Sequence, residues 1–175
     1  LPAGTYTNTT YHFKITYPSG WGYTALSCGS GQPSDSGCNA LNGGGSSTSG
    51  GPTAIPLQVT ITREGELTTS SPTVSELTIS VLDLSNSNVA TAAATLATDT
   101  SLRKMPLAGT TAYVTPAVQQ QIPGNEGTPS AVSETHTDYY LIHGAFEYQL
   151  SMDALSNDAS AAALQTMVRS FAFTG

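Results

Sequence analysis

Between Glu134 and Asp153 polar and apolar residues alternate on both sides of a Gly144-Ala145 pair, and no other stretch restricts the fold as much. Glycine at the first central position suits a two-residue hairpin, because the turns that match strand twist need positive φ there. His143 then faces Phe146, and every later cross-strand pair follows from that one. One face carries Tyr139, Leu141, His143, Phe146, Tyr148, Leu150 and Met152. The other carries His136, Asp138, Tyr140, Ile142, Glu147, Gln149, Ser151 and Asp153. A slip of one residue would exchange the two sets, so burial of the apolar set specifies the register. Tyr140 and Ile142 on the polar face are expected to lie under a helix.

The same period of two recurs elsewhere. Tyr11, Phe13, Ile15 and Tyr17 form one such run, and Pro18-Ser19-Gly20 turns the chain toward a return strand beginning at Trp21 and Tyr23. Ile55, Leu57, Val59 and Ile61 predict another strand, and Leu77, Ile79 and Val81 a further one. Thr110–Gln119 is expected to be a strand that Pro116 interrupts or pushes to an edge. The period changes over 88–98, where Val89, Ala92, Ala93 and Leu96 share a helical face behind the capping oxygens of Ser85–Ser87. A closing helix is predicted from Leu164, Met167, Val168 and Phe171, with Ser156-Asn157-Asp158 as its cap and Arg169 favouring its C-terminal dipole. Hairpins with few helices between strands imply an α+β fold, an antiparallel sheet with helices packed on it. At 175 residues the chain is the size of one domain, 1–175.

Charge excludes some partners. Only 10% of residues are charged, and five Lys and Arg oppose twelve Asp and Glu for a net −7. No basic stripe is present to neutralise phosphates, so nucleic acid is not an expected partner. An anionic membrane surface has little to attract either. No apolar run approaches the length of a membrane span.

Residues 27–54 are rich in Gly and Ser and almost free of aliphatic side chains, too little to offset the entropy of ordering them. They form an expected long loop carrying the only two cysteines, Cys28 and Cys38. The spacing is neither a CxxC redox motif nor a zinc pattern. One disulfide is the expected state, stabilising by roughly 2–3 kcal/mol, with two free thiols as the alternative. A disulfide and a Lys-poor, hydroxyl-rich composition point to an extracytoplasmic, secreted or cell-surface location. The chain begins at Leu1 without Met, which fits a signal peptide or a lipid-anchored cysteine upstream. Asn8-Thr9-Thr10 is a formal glycosylation sequon, equally readable as a chance match.

Catalytic motifs are missing from the sequence. No G-x-S-x-G nucleophile elbow occurs, and Gly29-Ser30-Gly31 lacks the third glycine of a phosphate loop. Glu64 and Glu66 sit in a turn with nothing apolar nearby to shift them, and read as solvated. One constellation stands out. The hairpin register sets His136 opposite Asp153 with Asp138 on the same face, and an imidazole with two carboxylates can hold weakly a divalent metal such as Zn²⁺ or Mn²⁺. The other reading is a cross-strand ion pair on a polar surface. His143, on the opposite face beside Phe146, reads as a packed histidine.

The run Tyr11-His-Phe-Lys-Ile-Thr-Tyr-Pro-Ser-Gly-Trp21 resembles the opening of PsbP-like domains, where an aromatic strand enters a Tyr-Pro-x-x-Trp turn. The strong hairpin followed by a helix ending in Arg169-Ser170-Phe171 is similar to how they close. The resemblance spans both ends and about half the chain. It implies an antiparallel sheet sandwiched by helices, as in exported bacterial lipoproteins and in extrinsic photosystem II subunits. The cysteine-bearing loop departs from that pattern. So does the acidic surface, since the photosynthetic members dock through basic residues. Pro18 and Trp21 are structural landmarks of the resemblance, and no binding residue carries over. The expected function is a non-enzymatic binding or scaffold domain for a protein or small-molecule ligand. The alternatives are a hydrolase with a site assembled from scattered polar residues, and an adhesive surface protein presenting the 27–54 loop.

Overall fold

The computed structural model describes residues 1–27, 57–63, 74–85, 89–122, 132–156 and 159–175. Cys28, Cys38, Glu64, Glu66 and nearly all of the 27–54 loop lie outside them. The expected hairpin is present as β9 (Val132–His143) and β10 (Phe146–Leu155), with His143 facing Phe146 and Asp153 facing His136. Gly144 has a φ of +60° and Ala145 is not in the left-handed region, the pattern of a turn needing glycine only at its first central residue. The Leu84 amide donates to the Ala145 carbonyl at 2.8 Å, fastening the hairpin tip to the neighbouring strand.

That hairpin is the centre of a large antiparallel sheet. On one side β10 pairs with β5 (Glu76–Asp83), then β4 (Leu57–Arg63), then β3 (Trp21–Ser27). On the other side β9 pairs with β7 (Thr110–Val114), which pairs with β6 (Arg103–Leu107), while β8 (Val118–Ile122) lies along the first half of β9. Pro116 falls between β7 and β8, so the strand expected over 110–119 is two strands. A second, three-stranded sheet sets β2 (Phe13–Tyr17) between β1 (Gly4–Asn8) and β11 (Ala172–Phe173). This corrects one expectation. The turn at Pro18-Ser19-Gly20 does not close a hairpin, because β2 pairs within the small sheet and β3 with β4.

Two helices are described, α1 (Val89–Thr98) and α2 (Ser160–Ser170). The molecule is therefore mostly antiparallel sheet, richer in strand than a sheet sandwiched by helices. α2 presents Leu164, Met167 and Val168 to the core, at the spacing read from the sequence. Ala159 occupies its N-cap position without a side-chain hydrogen bond, and of the expected cap Ser156-Asn157-Asp158, Asn157 and Asp158 lie outside the described residues. At the other end the Ser170 hydroxyl accepts from the Thr16 amide at 2.9 Å and donates to the Thr16 carbonyl at 3.1 Å, joining helix to small sheet. α1 buries no residue. Among the described residues, no helix is long and apolar enough to cross a membrane.

The core lies between the two sheets and α2. Phe13, Ile15, Val59, Ile61, Ile79, Leu141, Tyr148, Leu150, Leu164 and Phe171 are essentially inaccessible, and Trp21 belongs to the same cluster. Phe13, Tyr148 and Phe171 meet with ring centroids 5.4 to 5.9 Å apart. The Tyr148 hydroxyl donates to the Tyr11 carbonyl at 2.7 Å, which satisfies its one polar atom, and burial pushes the phenol up to about 12. His143 stacks on Phe173 at 4.1 Å, a packed histidine on the core side.

Candidate functional site

With one face of the large sheet given to the core, its other face is polar. Pairing aligns Thr60, Thr78, Ser151 and Asp138 in one row across β4, β5, β10 and β9. A parallel row runs Gln58, Ser80, Gln149, Tyr140, Tyr113 and Lys104, and a third brings Thr62, Glu76 and Asp153 to His136. Hydroxyl and amide side chains prevail, mostly half-buried.

His136, Asp138 and Asp153 come together on this face as the register required. His136 Nδ1 lies 2.5 Å from Asp153 Oδ1, and Nε2 lies 3.0 Å from Asp138 Oδ2. A carboxylate can only accept, so the arrangement suits the protonated ring, whose two N–H groups can both donate. Burial works against that charge, but the bonds to Asp153 and Asp138 and their negative charges outweigh it and raise the imidazole above its ordinary value. The ring is 36% exposed, so water screens part of this effect.

Asp138 is the hub, 13% exposed. Its Oδ1 accepts from Ser151 Oγ at 2.6 Å and from Gln149 Nε2 at 3.2 Å, while Tyr140 O–H reaches Oδ2 at 3.4 Å. Its amide donates to Thr115 Oγ1 at 2.9 Å and its carbonyl accepts from the Thr115 amide at 3.0 Å. Burial alone would raise this carboxyl, yet the bonds from Ser151, Gln149 and His136 hold it below its ordinary value. Burial and the Asp138 charge push the Tyr140 phenol up to about 12. Two more acids border the network with carboxyls raised above the usual range. Glu76 is raised by burial and by the charges of Asp153 and Glu134, and Glu147 by burial.

This geometry bears on chemistry. The ring has no nitrogen left to take a proton from a substrate or to bind a metal without first parting from a carboxylate. Among the described residues, no three His, Cys, Asp or Glu groups are arranged to hold a metal ion. Ser151 donates to a carboxylate and not to an imidazole, the reverse of an activated nucleophile. Beside the network a hollow of about 270 Å³ opens between Ala93 of α1 and Thr110, Thr111, Tyr113 and Ile142. That volume is just under the roughly 300–1,000 Å³ of small-molecule pockets, and its lining offers no carboxylate, imidazole or thiol. Val89, Ala92, Ala93 and Leu96 of α1 are only half-buried above the sheet.

Sequence reading found the three charged members and missed the residues that satisfy them. The same register places Ser151 opposite Asp138 and Gln149 opposite Tyr140, so those two were within reach. Thr115 and Glu76 arrive through pairings with β7 and β5 that no local pattern encodes.

No family model matches the chain, and no curated protein matches it. Solved structures do. A crystal structure from Bacteroides thetaiotaomicron VPI-5482 superposes with a TM-score of 0.52 at 7% identity, over 100% of this chain and 50% of that one. The two share a fold. The chain thus spans half the length of that Bacteroides protein. The solution structure of cyanobacterial PsbP (CyanoP) from Synechocystis sp. PCC 6803 gives a TM-score of 0.48 at 9% identity, over 98% of this chain and 92% of that one.

Proposed function

We propose that the chain is an extracytoplasmic, non-enzymatic binding domain, a sheet-rich variant of the PsbP-like sandwich, and that the polar face of its large sheet receives the ligand. The observation that carries this reading is the double restraint of His136. Among the described residues, the cluster of imidazole and carboxylates is spent on internal pairing. Such a network fixes a surface in shape and charge, as recognition requires, whereas general-base catalysis requires a free nitrogen within reach of substrate. Broad rows of Thr, Ser, Gln and Tyr supply hydrogen-bonding groups for a protein or small-molecule partner. The disulfide read from Cys28 and Cys38 and the Lys-poor composition support secretion or surface anchoring.

The competing hydrolase reading gives the test. Wild-type protein and His136→Ala are assayed on p-nitrophenyl acetate, p-nitrophenyl phosphate and p-nitrophenyl glycosides. The expected result is no turnover that depends on His136. Turnover above the buffer rate that disappears in the variant, with its fold intact by circular dichroism, would replace binding with catalysis.

A further inference from the structure

On the core side of the large sheet, one row of residues changes character as it runs outward. Leu150 of β10 pairs with Tyr139 of β9, Tyr139 with Val114 of β7, and Val114 with Arg103 of β6. Leu150 and Val114 are buried, Tyr139 is half-buried and Arg103 is exposed. Arg103 stands two strand spacings from Tyr139, roughly 10 Å, and an extended arginine side chain covers most of that gap. A second cation comes from α2, which packs on β10 and β2 and carries the exposed Arg169 in its last turn. Both charges are felt at the same phenol. Burial raises Tyr139, and the charges of Arg103 and Arg169 oppose that rise.

Cations are scarce in this chain, five Lys and Arg in all, and others among them are seated on aromatic rings. Arg63 lies over Trp21 at 5.8 Å and Lys104 over Tyr113 at 5.7 Å. Arg103 and Arg169 are not engaged in this way. Among the described residues neither is ion-paired, and the Tyr139 hydroxyl has no hydrogen-bond partner. Guanidinium groups can only donate and the phenol can donate as well, so the group that completes this trio is an acceptor. The dipole of α2 accounts for a cation at its C-terminus but not for Arg103 on a separate strand.

We propose that Arg103, Arg169 and Tyr139 form a binding site for an oxyanion, the phosphate or carboxylate group of a small molecule. The chemistry of the donors selects this ligand. Guanidinium forks match the paired oxygens of both groups, and the phenol adds a further bond. Two positive charges suit a dianion better than a monoanion, which favours phosphate. The site lies on the opposite side of the sheet from His136, so it is separate from the polar face. The net charge of −7 opposes an approaching anion, which makes the binding weak and dependent on salt.

Nuclear magnetic resonance of the whole chain can follow the amides of residues 103, 139 and 169 and the arginine Nε–H groups. Sodium phosphate is added from about 0.1 mM to about 30 mM at fixed ionic strength, a range that covers weak affinities. At about pH 8 phosphate is largely a dianion. Sodium acetate in parallel separates the two sources of the oxyanion, and sodium chloride is the control. The expected result is saturable shifts at these residues with phosphate and smaller ones with acetate, whereas tighter binding of acetate assigns the same site to carboxylates. Arg103→Gln and Arg169→Gln should each weaken binding about tenfold, since a bond to a charged group is lost. His136→Ala should leave it unchanged. No saturable shift with either anion, equal shifts with chloride, or folded Arg103→Gln and Arg169→Gln proteins that bind as wild type does would overturn the proposal. Titration of the Tyr139 phenol without any anion gives an independent reading. Its pKa should rise in each glutamine variant, and a phenol unmoved in both overturns the proposal equally.

Discussion

His136 sits between two carboxylates that favour its charged form, and that makes its titration informative. Nuclear magnetic resonance of the ring should give a pKa above the ordinary 6.5, falling when Asp153→Asn removes one partner. A ring that titrates at or below its ordinary value would mean that the clamp does not exist in solution. The sign for stability follows from linkage. A histidine raised in the folded state contributes fully below its unfolded value and loses that contribution as pH rises through the folded one. Asp138, lowered in the folded state, contributes above its unfolded value of 3.8 and loses it as pH falls through the folded one. Glu76 and Glu147, raised mainly by burial, oppose folding increasingly once pH exceeds their ordinary 4.5. The three effects favour mildly acid conditions. Thermal melts should therefore give a higher Tm near about pH 5.5 than near about pH 8.5, with a smaller difference in Asp153→Asn. A Tm that rises over that interval contradicts the assignment.

At the scale of elements, legibility followed locality. The β9–β10 hairpin could be read to the residue because its alternation and its turn glycine are both local, and with it came the meeting of His136, Asp138 and Asp153. α2 was legible for the same reason, through Leu164, Met167, Val168 and Phe171. β1 was not, since Gly-Thr-Tyr-Thr-Asn has a single apolar residue and is a strand only because β2 lies beside it. β6 was hidden by its proline and its charges, which mark an edge and not the lack of a strand. The turn after Tyr17 misled because Pro-Ser-Gly reverses a chain equally well between sheets and within a hairpin. Phe171, 1% exposed just past α2, tests how far the terminal helix belongs to the core. Phe171→Ala should cost roughly 3–5 kcal/mol in denaturant melts. A loss below about 1 kcal/mol would make the helix peripheral, against its packing on Phe13 and Tyr148.

For the molecule as a whole, location is the property that chemistry can test most directly. Alkylation without reductant followed by intact-mass analysis should leave Cys28 and Cys38 unmodified, as a disulfide requires. Two alkylated thiols would remove the bond and the main argument for an oxidising compartment. The small sheet adds a point about how such a chain matures. Its middle strand, β2, pairs near the start of the sequence with β1 and near the end with β11, where Ala172 meets Lys14 and Phe173 meets Phe13. Contacts this distant in sequence form late, since loop closure precedes any gain from them. The sheet cannot close, nor Phe13 be covered by Phe171, until the chain from Phe171 to Phe173 reaches β2. Until it does, β2 has only β1 beside it in the small sheet, and the ring of Phe13 lacks its cover from Phe171.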